Sequence, residues 1–595
     1  MSKILYRWGR AAARHPWRML FAWFVVVVAV VGLQRSIGGD VSDNFEIPGT
    51  EAQRGIDLLN ERFPAQGGSS GQVVFADPDG DVTDARARAA IESTLDEIAA
   101  GPNVVSVSDP FDPAAGSISA DGRVAYSIVH YSVEPPGKAE GEAAKTAVES
   151  ARQAGLQAEL SRNIVRTSDQ AESNEGIGLI VAIIVLLVAF GSVIAAGIPI
   201  GTALFGIFIG LSVIGVMAGL TEVPSVSPML ATMIGLGVGI DYALFVVTRH
   251  RAFLHEGRSV EESVGLANAT AGSAVLFAGT TVVIAIAGLR IAGIPAIATM
   301  GFASAITVAV AMLAAVTLLP AFLGLAGKRI DKWHIGRKRA VNVESHETLS
   351  GRWADHVGTH PWRYALLSFA GLAALAGPVL AMRTGMADDG TAETSTTYRK
   401  AYDLLASGFG EGFNAPLTVV VDGQAGVARA AEVRNDLVNT NGIVYVTQPL
   451  VNTAGNTAVI TAYPATSPQD AKTETLVHTL RDDVLPASLA GTGADSFVTG
   501  QTAAFIDISE RLSARLPLFI FAVVGLSFLL LMTVFRSVLV PLKAAVMNLL
   551  SIGAAYGVVV AVFQWGWGSS LLGIHQTVPI SPFLPMIMFA ILFGL

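Results

Sequence analysis

Long apolar runs alternate with two long polar stretches along this chain. Each run is long enough for a helix, rising about 1.5 Å per residue, to cross a hydrocarbon core of about 30 Å. The pattern predicts spans at 17–33, 177–196, 198–220, 226–248, 271–292, 294–326, 362–382, 514–535 and 540–563, with a tenth beginning near Pro582. The chain is therefore predicted to be a polytopic α-helical membrane protein.

Basic residues predict the side of the membrane on which each span begins and ends. They cluster before the first span, after the fourth and after the sixth, and such clusters favour the cytoplasmic side. The residues are Lys3, Arg7, Arg10, Arg14, Arg18, Arg249, Arg251, Arg258, Lys328, Arg329, Lys332, Arg337, Lys338 and Arg339. We therefore expect a plasma (inner) membrane protein with a cytoplasmic N-terminus and both polar stretches outside. The first run is long for a signal peptide and ends without a small-x-small cleavage site, so it is predicted to remain as a span.

Both polar stretches combine strand and helix patterns in the order βαββαβ. Strands are predicted at 72–76, 103–107, 123–133 and 156–160 around helices at 84–100 and 139–155, and at 416–422, 442–448, 457–463 and 496–499 around helices at 426–439 and 469–483. This order predicts two extracytoplasmic α+β domains of ferredoxin-like fold, with room for a ligand in the cleft between them.

The predicted domains follow from these boundaries. They are the cytoplasmic N-terminus with the first span (1–34), the first α+β domain (35–175), spans two to six (176–326), a cytoplasmic linker (327–360), span seven (361–382), the second α+β domain (383–512), spans eight and nine (513–563), and an outer loop with the start of span ten (564–595).

Three short sequences recur at almost the same displacement. His15-Pro16-Trp17-Arg18 returns at 360–363, Asp57-Leu58-Leu59 at 403–405, and Phe190-Gly191-Ser192-Val193 as Phe-Arg-Ser-Val at 535–538. Repeated halves are common in transporters. The sequence therefore predicts a duplicated unit of one span, an α+β domain and five further spans, with the second copy cut short.

Composition narrows the classes of function. Hydrophobic residues make up 52% of the chain and charged residues 15%, which excludes a set of soluble domains, and the net charge of −9 argues against a nucleic-acid partner. The absence of cysteine excludes disulfides. No Walker A sequence or catalytic motif occurs, so neither ATP coupling nor an enzyme is expected. His15, His250, His255, His360 and His575 lack metal-ligand spacing and are expected to be solvated, so no metal or other cofactor is predicted.

The fourth predicted span carries an acid far from either end. Asp241 follows Pro228 by 13 residues, about 20 Å of helix, and precedes Arg249 by eight, about 12 Å. An ionised carboxylate is costly at that depth, so Asp241 is a candidate for reversible protonation. The alternative is a structural hydrogen bond or a buried partner for a base.

Neighbouring residues form the remaining candidate site. Tyr242 could donate a hydrogen bond to an acid or simply fill space, and Thr280 and Thr281 on the fifth span match the depth of Asp241, although threonines in membrane helices often bond to carbonyls of their own helix. Gly235, Gly237 and Gly239 are predicted to let a neighbouring helix pack closely, as small residues generally do.

The stretches GLGVGIDYALFVVTRHR (235–251) and VFRSVLVPLKAAVMNLLSIGAAYGV (534–558) resemble the MmpL (mycobacterial membrane protein large) family of the resistance-nodulation-division superfamily. This resemblance, which covers essentially the whole chain, implies proton-driven export of lipids or other hydrophobic metabolites, with Asp241 and Tyr242 as half of a proton relay. In the family a second Asp-Tyr pair on the tenth span faces the first. Aligning Pro585-Met586 with Pro228-Met229 places that Asp three residues beyond Leu595, so we expect a truncated chain.

Two other functions remain open. One is an auxiliary motor for protein translocation from the same superfamily, and the other is a membrane scaffold or lipid-binding receptor that does not transport. The expected partners are a membrane lipid or hydrophobic small-molecule cargo and the bilayer, with a monomer or homotrimer and envelope accessory proteins left open.

Overall fold

The computed structural model describes residues 2–42, 46–63, 69–78, 80–113, 115–133, 136–165, 175–332, 349–572 and 576–594. Residues 333–348 of the predicted linker and His575 lie outside this part of the chain. Within it, eight helices are long and apolar enough to cross a membrane. Two small β-sheets are formed by the polar stretches between helices. The protein is therefore a multi-pass helical membrane protein with two α/β regions.

The chain begins with two helices of opposite character. Helix α1 (Ser2–Arg14) is amphipathic and buries Leu5, Gly9 and Ala12. Helix α2 (Pro16–Ile37) starts with proline in its first turn, where the missing N–H costs nothing, and none of its residues is buried within the chain. Apolar side chains exposed all round such a helix are suited to contact with lipid.

The first α/β region is built on a four-stranded sheet. Its strands β1 to β4 pair antiparallel in the order β2-β3-β1-β4. Alternate residues of β1 point to opposite faces, so that Val73 and Phe75 pack with Ile91 and Val148 on the face covered by α4 and α5. The elements are α3 (Glu51–Arg62), β1 (Ser70–Ala76), α4 (Ala85–Ala99), β2 (Val104–Val107), β3 (Val124–Tyr131), α5 (Lys138–Gln153), β4 (Gln157–Leu160) and α6 (Arg162–Val165).

Five apolar helices follow, and α1 packs against two of them, α10 and α11. They are α7 (Glu175–Phe190), α8 (Val193–Ala218), α9 (Val226–His255), α10 (Val260–Ala287) and α11 (Pro295–Ala326). Small residues bring their backbones close, and a Cβ on Gly206 of α8 would lie 3.2 Å from the Cα of Ala311 on α11. Asn268 of α10 ties α1 to α11, because its amide nitrogen donates to the carbonyls of Leu5 (3.0 Å) and Val316 (3.2 Å).

The second half of the chain also places a small β-sheet between apolar helices. Its sheet has the order β6-β8-β5-β9, with an extra strand β7, absent from the sequence prediction, paired to β8. The elements are α12 (Leu349–Thr359), α13 (Pro361–Ala376), α14 (Thr397–Phe409), β5 (Leu417–Asp422), α15 (Gln424–Ala428), α16 (Ala430–Val438), β6 (Ile443–Val446), β7 (Leu450–Val451), β8 (Thr457–Pro464), α17 (Ala471–Thr479), α18 (Leu485–Ser488), β9 (Asp495–Thr499), α19 (Gln501–Phe535), α20 (Leu539–Val559) and α21 (Phe583–Gly594).

The two α/β regions exchange their first helices. Helix α3 packs beside β9 of the second sheet, where the Thr499 hydroxyl donates to the Ala52 carbonyl at 2.7 Å. Helix α14 covers the free face of the first sheet, with Leu405 in one apolar cluster with Val74 and Tyr126. Each half thus completes the packing of the other half's sheet, and neither region is closed without a segment from the opposite half.

Candidate functional site

Helix α9 presents Asp241 on an exposed stripe. Successive members of this stripe are four residues apart, which places them on one side of a helix. The members are Met229, Met233, Gly237, Asp241 and Phe245, all exposed. Within the described part of the chain Asp241 forms no ion pair and accepts no hydrogen bond. The carboxylate thus lies in the middle of a long apolar helix without a neutralising base, which removes the ion-pair alternative as far as these residues extend.

Tyr242 points elsewhere, as its 100° rotation from Asp241 requires. Its side chain is 4% exposed and packs in the same cluster as Val238 and Val246. No described group hydrogen-bonds to its hydroxyl. A buried hydroxyl without a partner costs about 1–3 kcal/mol, so the tyrosine is not explained by packing alone.

The threonines of α10 bond to their own helix. The Thr280 hydroxyl donates to the Leu276 carbonyl at 2.7 Å, and the Thr281 hydroxyl donates to the Phe277 carbonyl at 3.1 Å. Thr280 is exposed and Thr281 is buried. Neither hydroxyl contacts Asp241 through a hydrogen bond, so in this conformation the structure does not bring the proposed relay support to the acid.

The three glycines of α9 divide into two groups. A Cβ on Gly235 would lie 2.9 Å from the Thr307 methyl, and one on Gly239 would lie 2.9 Å from the Ala203 Cβ, so these two meet α11 and α8 at close range. A Cβ on Gly237 would meet no described atom within 4 Å. Two residues correspond to 200° of helix, so Gly237 faces away from its two neighbours. Within the described part of the chain no helix packs closely against Gly237, so the close packing expected there stays a prediction; this glycine lies one turn before Asp241 on the exposed stripe.

His250 also departs from expectation. It lies inside α9, not in a solvated loop, and is fully buried. Its Nδ1 is 2.9 Å from the Ser263 hydroxyl, which also donates to the His250 carbonyl at 2.7 Å. The adjacent Arg251 pairs with Asp331 at 2.7 Å. These contacts connect α9 to the start of α10 and to the segment after α11.

A cavity of about 730 Å³ separates the two α/β regions. It is lined by Gln72 and Arg162 from the first region, by Asp388 and Gln469 from the second, and by Phe505 at the start of α19. Both polar and apolar side chains thus contribute to its wall. Such a cavity can hold an amphipathic ligand.

Asp388 is the central polar group of this cavity. Burial raises the pKa of its carboxyl above the usual range, and the nearby charge of Asp389 acts in the same direction. Gln469 donates to one carboxylate oxygen at 2.6 Å and Tyr402 to the other at 3.1 Å. Asp389 itself pairs with Arg162 of the first region at the wall of the cavity. Sequence reasoning missed this group, although two adjacent acids soon after an apolar run gave a signal.

A second buried polar group joins the exchanged helix α3 to α19. Arg481 donates to both carboxylate oxygens of Asp507, at 2.6 and 3.3 Å, and lies 3.3 Å from Glu51. The other bond of Asp507 comes from the Ala52 amide at 2.9 Å. No local pattern predicts this group, because its members are far apart in the chain.

A comparison with models of protein families gives a match over most of the chain. The model of the MMPL family matches residues 44–363 and 382–595. This chain belongs to the MMPL family. The family resemblance read from the sequence is thereby confirmed.

Individual relatives of this MMPL chain carry different names. It is 38% identical to "Membrane protein YdfJ" of Bacillus subtilis, over 100% of this chain and 82% of the relative. It is 27% identical to "Mycolic acid-containing lipids exporter MmpL11" of Mycolicibacterium smegmatis, over 99% of this chain and 64% of that protein. It is 29% identical to "Heme uptake protein MmpL11" of Mycobacterium tuberculosis, over 99% of this chain and 63% of that protein. The chain thus spans less than two thirds of both MmpL11 proteins.

Proposed function

We propose that this chain belongs to a proton-driven exporter of lipids or other hydrophobic molecules in the plasma membrane, with a cytoplasmic N-terminus. The observation that carries the proposal is the Asp241 carboxylate in the middle of α9, for which the described residues supply no partner. An acid there is costly when ionised and less costly when protonated, so its charge state is a natural coupling point between a proton gradient and helix movement. The relative named as an exporter of mycolic-acid-containing lipids supports the cargo class.

The exposed stripe of α9 shows which side of the helix Asp241 occupies. Gly237 leaves open space one turn from Asp241, and both face away from α8 and α11. We infer that this stripe meets a further helix carrying the second acid-tyrosine pair that the family resemblance implies. Tyr242, with its buried free hydroxyl, is the proposed partner in the relay.

The proton supply limits how the cargo can travel. One proton moving through about 150 mV supplies about 3.5 kcal/mol, while each methylene exposed to water costs about 0.8 kcal/mol. This energy covers only about four or five methylenes, so a long acyl chain has to remain shielded. We propose that the cargo enters from the outer leaflet and that its polar end occupies the cavity between the two α/β regions. Failure of a photoreactive lipid to crosslink to either region would count against this route.

The architecture proposed for this function is an internal duplication with two ferredoxin-like units. Both sheets have the same strand order, with the central strands contributed by the same positions in each half. The N-caps of α2 and α13 support the repeat, because His15 (φ −126°, ψ 59°) and His360 (φ −127°, ψ 51°) share one backbone conformation.

The test is the Asp241→Asn variant of the protein, reconstituted in vesicles with an imposed pH gradient. Asparagine keeps the size of the side chain and removes its proton exchange. We expect proton-dependent lipid flux to fall to the level of empty vesicles. Glu222→Gln, the same change in an exposed acid before α9, is the matched control and should leave the flux unchanged. Unchanged flux in Asp241→Asn would refute the proposal. Lipid flux of the wild type toward the cytoplasmic side would instead indicate an uptake system and not an exporter.

A further inference from the structure

Three potential metal ligands converge where the second α/β region meets α19. Glu474 and His478 lie four residues apart on α17, and Glu510 lies on α19. Their ligand atoms are all within 4.8 Å of one another. We propose that these residues form a binding site for a divalent transition-metal cation such as Zn²⁺. This site is independent of the proposed transport function and was not predicted from the sequence.

The helix geometry prepares two of the ligands. Residues four apart on an α-helix lie one above the other on the same side, so Glu474 and His478 both face α19. On the other side, Glu510 Oε1 lies 2.6 Å from His478 Nε2. The imidazole is therefore already directed at the carboxylate that would share the cation with it.

The distances fit a metal ion after a small adjustment. Ligands about 2.0–2.1 Å from a tetrahedral Zn²⁺ are about 3.3 Å apart. The present separation of 2.6 Å between His478 and Glu510 would have to widen by about 0.7 Å, and the ligand atom of Glu474 already lies within 4.8 Å of both. The side chains of His478 and Glu510 are 40% and 44% exposed, so both can rotate without disturbing a packed core. Three protein ligands would leave the fourth position to water.

The ligand set indicates the class of metal. Imidazole suits Zn²⁺, Cu²⁺ and Ni²⁺, whereas Mg²⁺ and Ca²⁺ prefer oxygen ligands alone. Two carboxylates would balance the double charge of the ion. A bound cation would join α17 to α19, and because Glu474 also lines the cavity between the α/β regions, the ion would lie at the edge of that cavity.

A pair of histidines elsewhere in the chain is the main alternative site for a bound metal ion. His356 and His360 lie four residues apart around the end of α12, with ring centroids 5.0 Å apart, and could bind a transition metal without a carboxylate. Metal bound by purified protein must therefore be assigned to one of the two positions. Glutamine replacements serve for this purpose, because Gln cannot supply the imidazole or carboxylate ligand but can still form hydrogen bonds.

The experiment measures Zn²⁺ binding by the full chain in detergent, purified without a histidine tag and stripped of metal. We expect one Zn²⁺ per chain, and a loss of affinity of about 10- to 100-fold or more in His478→Gln and Glu510→Gln, since even the partners of ligands contribute that much. His356→Gln/His360→Gln should retain full binding. Melting temperatures in excess chelator must match those of the wild type, which separates ligand loss from unfolding.

Two results would overturn the proposal. One is the absence of stoichiometric Zn²⁺ binding by the wild type. The other is unchanged affinity in folded His478→Gln and Glu510→Gln, together with loss of binding in the His356/His360 variant. Cu²⁺ bound in place of Zn²⁺ gives an independent reading, because its electron paramagnetic resonance spectrum should show one coordinated nitrogen for the proposed site and two for the histidine pair.

Discussion

Gly239 and Gly237 are two residues apart on α9, but among the described residues only Gly239 lies close to a neighbouring helix. Their alanine variants are therefore a matched test of the helix packing around Asp241. An added methyl at Gly239 would lie 2.9 Å from the Ala203 Cβ and 3.2 Å from its Cα. The preferred carbon–carbon separation is about 3.5–4.0 Å. Because the opposing atoms belong to or adjoin the backbone of α8, the helices would have to move apart by about 0.6 Å or more.

The magnitude follows from two opposing effects. Overpacking of this kind costs about 1–3 kcal/mol. Replacing Gly by Ala within a helix recovers about 1 kcal/mol of helix propensity. Gly239→Ala should therefore be destabilised by about 0–2 kcal/mol, whereas Gly237→Ala, with no described atom in the way, should be neutral or about 1 kcal/mol more stable. The expected difference between the variants is about 1–3 kcal/mol.

Thermal unfolding of the two purified variants in the same detergent measures this difference. Gly239→Ala should melt below Gly237→Ala, with the wild type between them or level with one of them. Equal melting temperatures, or the reverse order, would refute the assignment of Gly239 to a close helix contact and of Gly237 to the open stripe. A bulkier Gly237→Leu variant should then keep its melting temperature but lose transport, since its side chain would occupy the space beside Asp241.

Two further predictions concern the α/β regions. Asp507→Ala should destabilise the second region by about 3–5 kcal/mol, because it leaves the 9%-exposed Arg481 without its principal partner. Adding Arg481→Met to the same chain should restore much of this loss, because the unpaired charge is then removed. Hydrogen exchange of the α3 amides measures the stability of both variants. For Asp388, the folded state holds a proton more tightly than the unfolded chain, so this group favours folding at low pH and loses that contribution as the pH rises through its raised pKa. Asp388→Asn should therefore gain stability over wild type as the pH rises, by at most about 1.4 kcal/mol per pH unit, and parallel pH–stability curves would contradict this.

Local sequence patterns predicted most of the secondary structure because their periods are set by local geometry. The short apolar, β-branched run Gln72-Val73-Val74-Phe75-Ala76 predicts a strand, and the structure has one at Ser70–Ala76 with its odd and even residues on different faces. Composition alone treats the three alternate glycines of α9 as equivalent, whereas helix rotation turns Gly237 away from the described helices that Gly235 and Gly239 meet. His250 was misjudged because its basic neighbours dominate the local composition, although its own side chain faces α10.

Local patterns could not predict that α3 and α14 are exchanged between the two sheets. The repeated Asp-Leu-Leu sequence at 57–59 and 403–405 marked α3 and α14 as equivalent, but equivalence does not say which sheet each helix covers. The choice depends on contacts between residues hundreds of positions apart, such as the Leu160 amide donating to Thr397 at 2.9 Å.

The sequence prediction also made helix α19 too short, because the apolar run covers only its later part. The full length of this helix affects how a movement in the membrane reaches the α/β regions. The apolar run predicted a span from 514, yet the helix begins at Gln501 and continues for 35 residues, about 52 Å. A hydrocarbon core of about 30 Å accommodates only part of it, so its first turns, which carry Asp507, project into the second α/β region. Asp507 also binds the amide of Ala52 in the exchanged helix α3. A displacement of α19 in the membrane would therefore act on segments from both halves of the chain, without a loop between the membrane and these contacts.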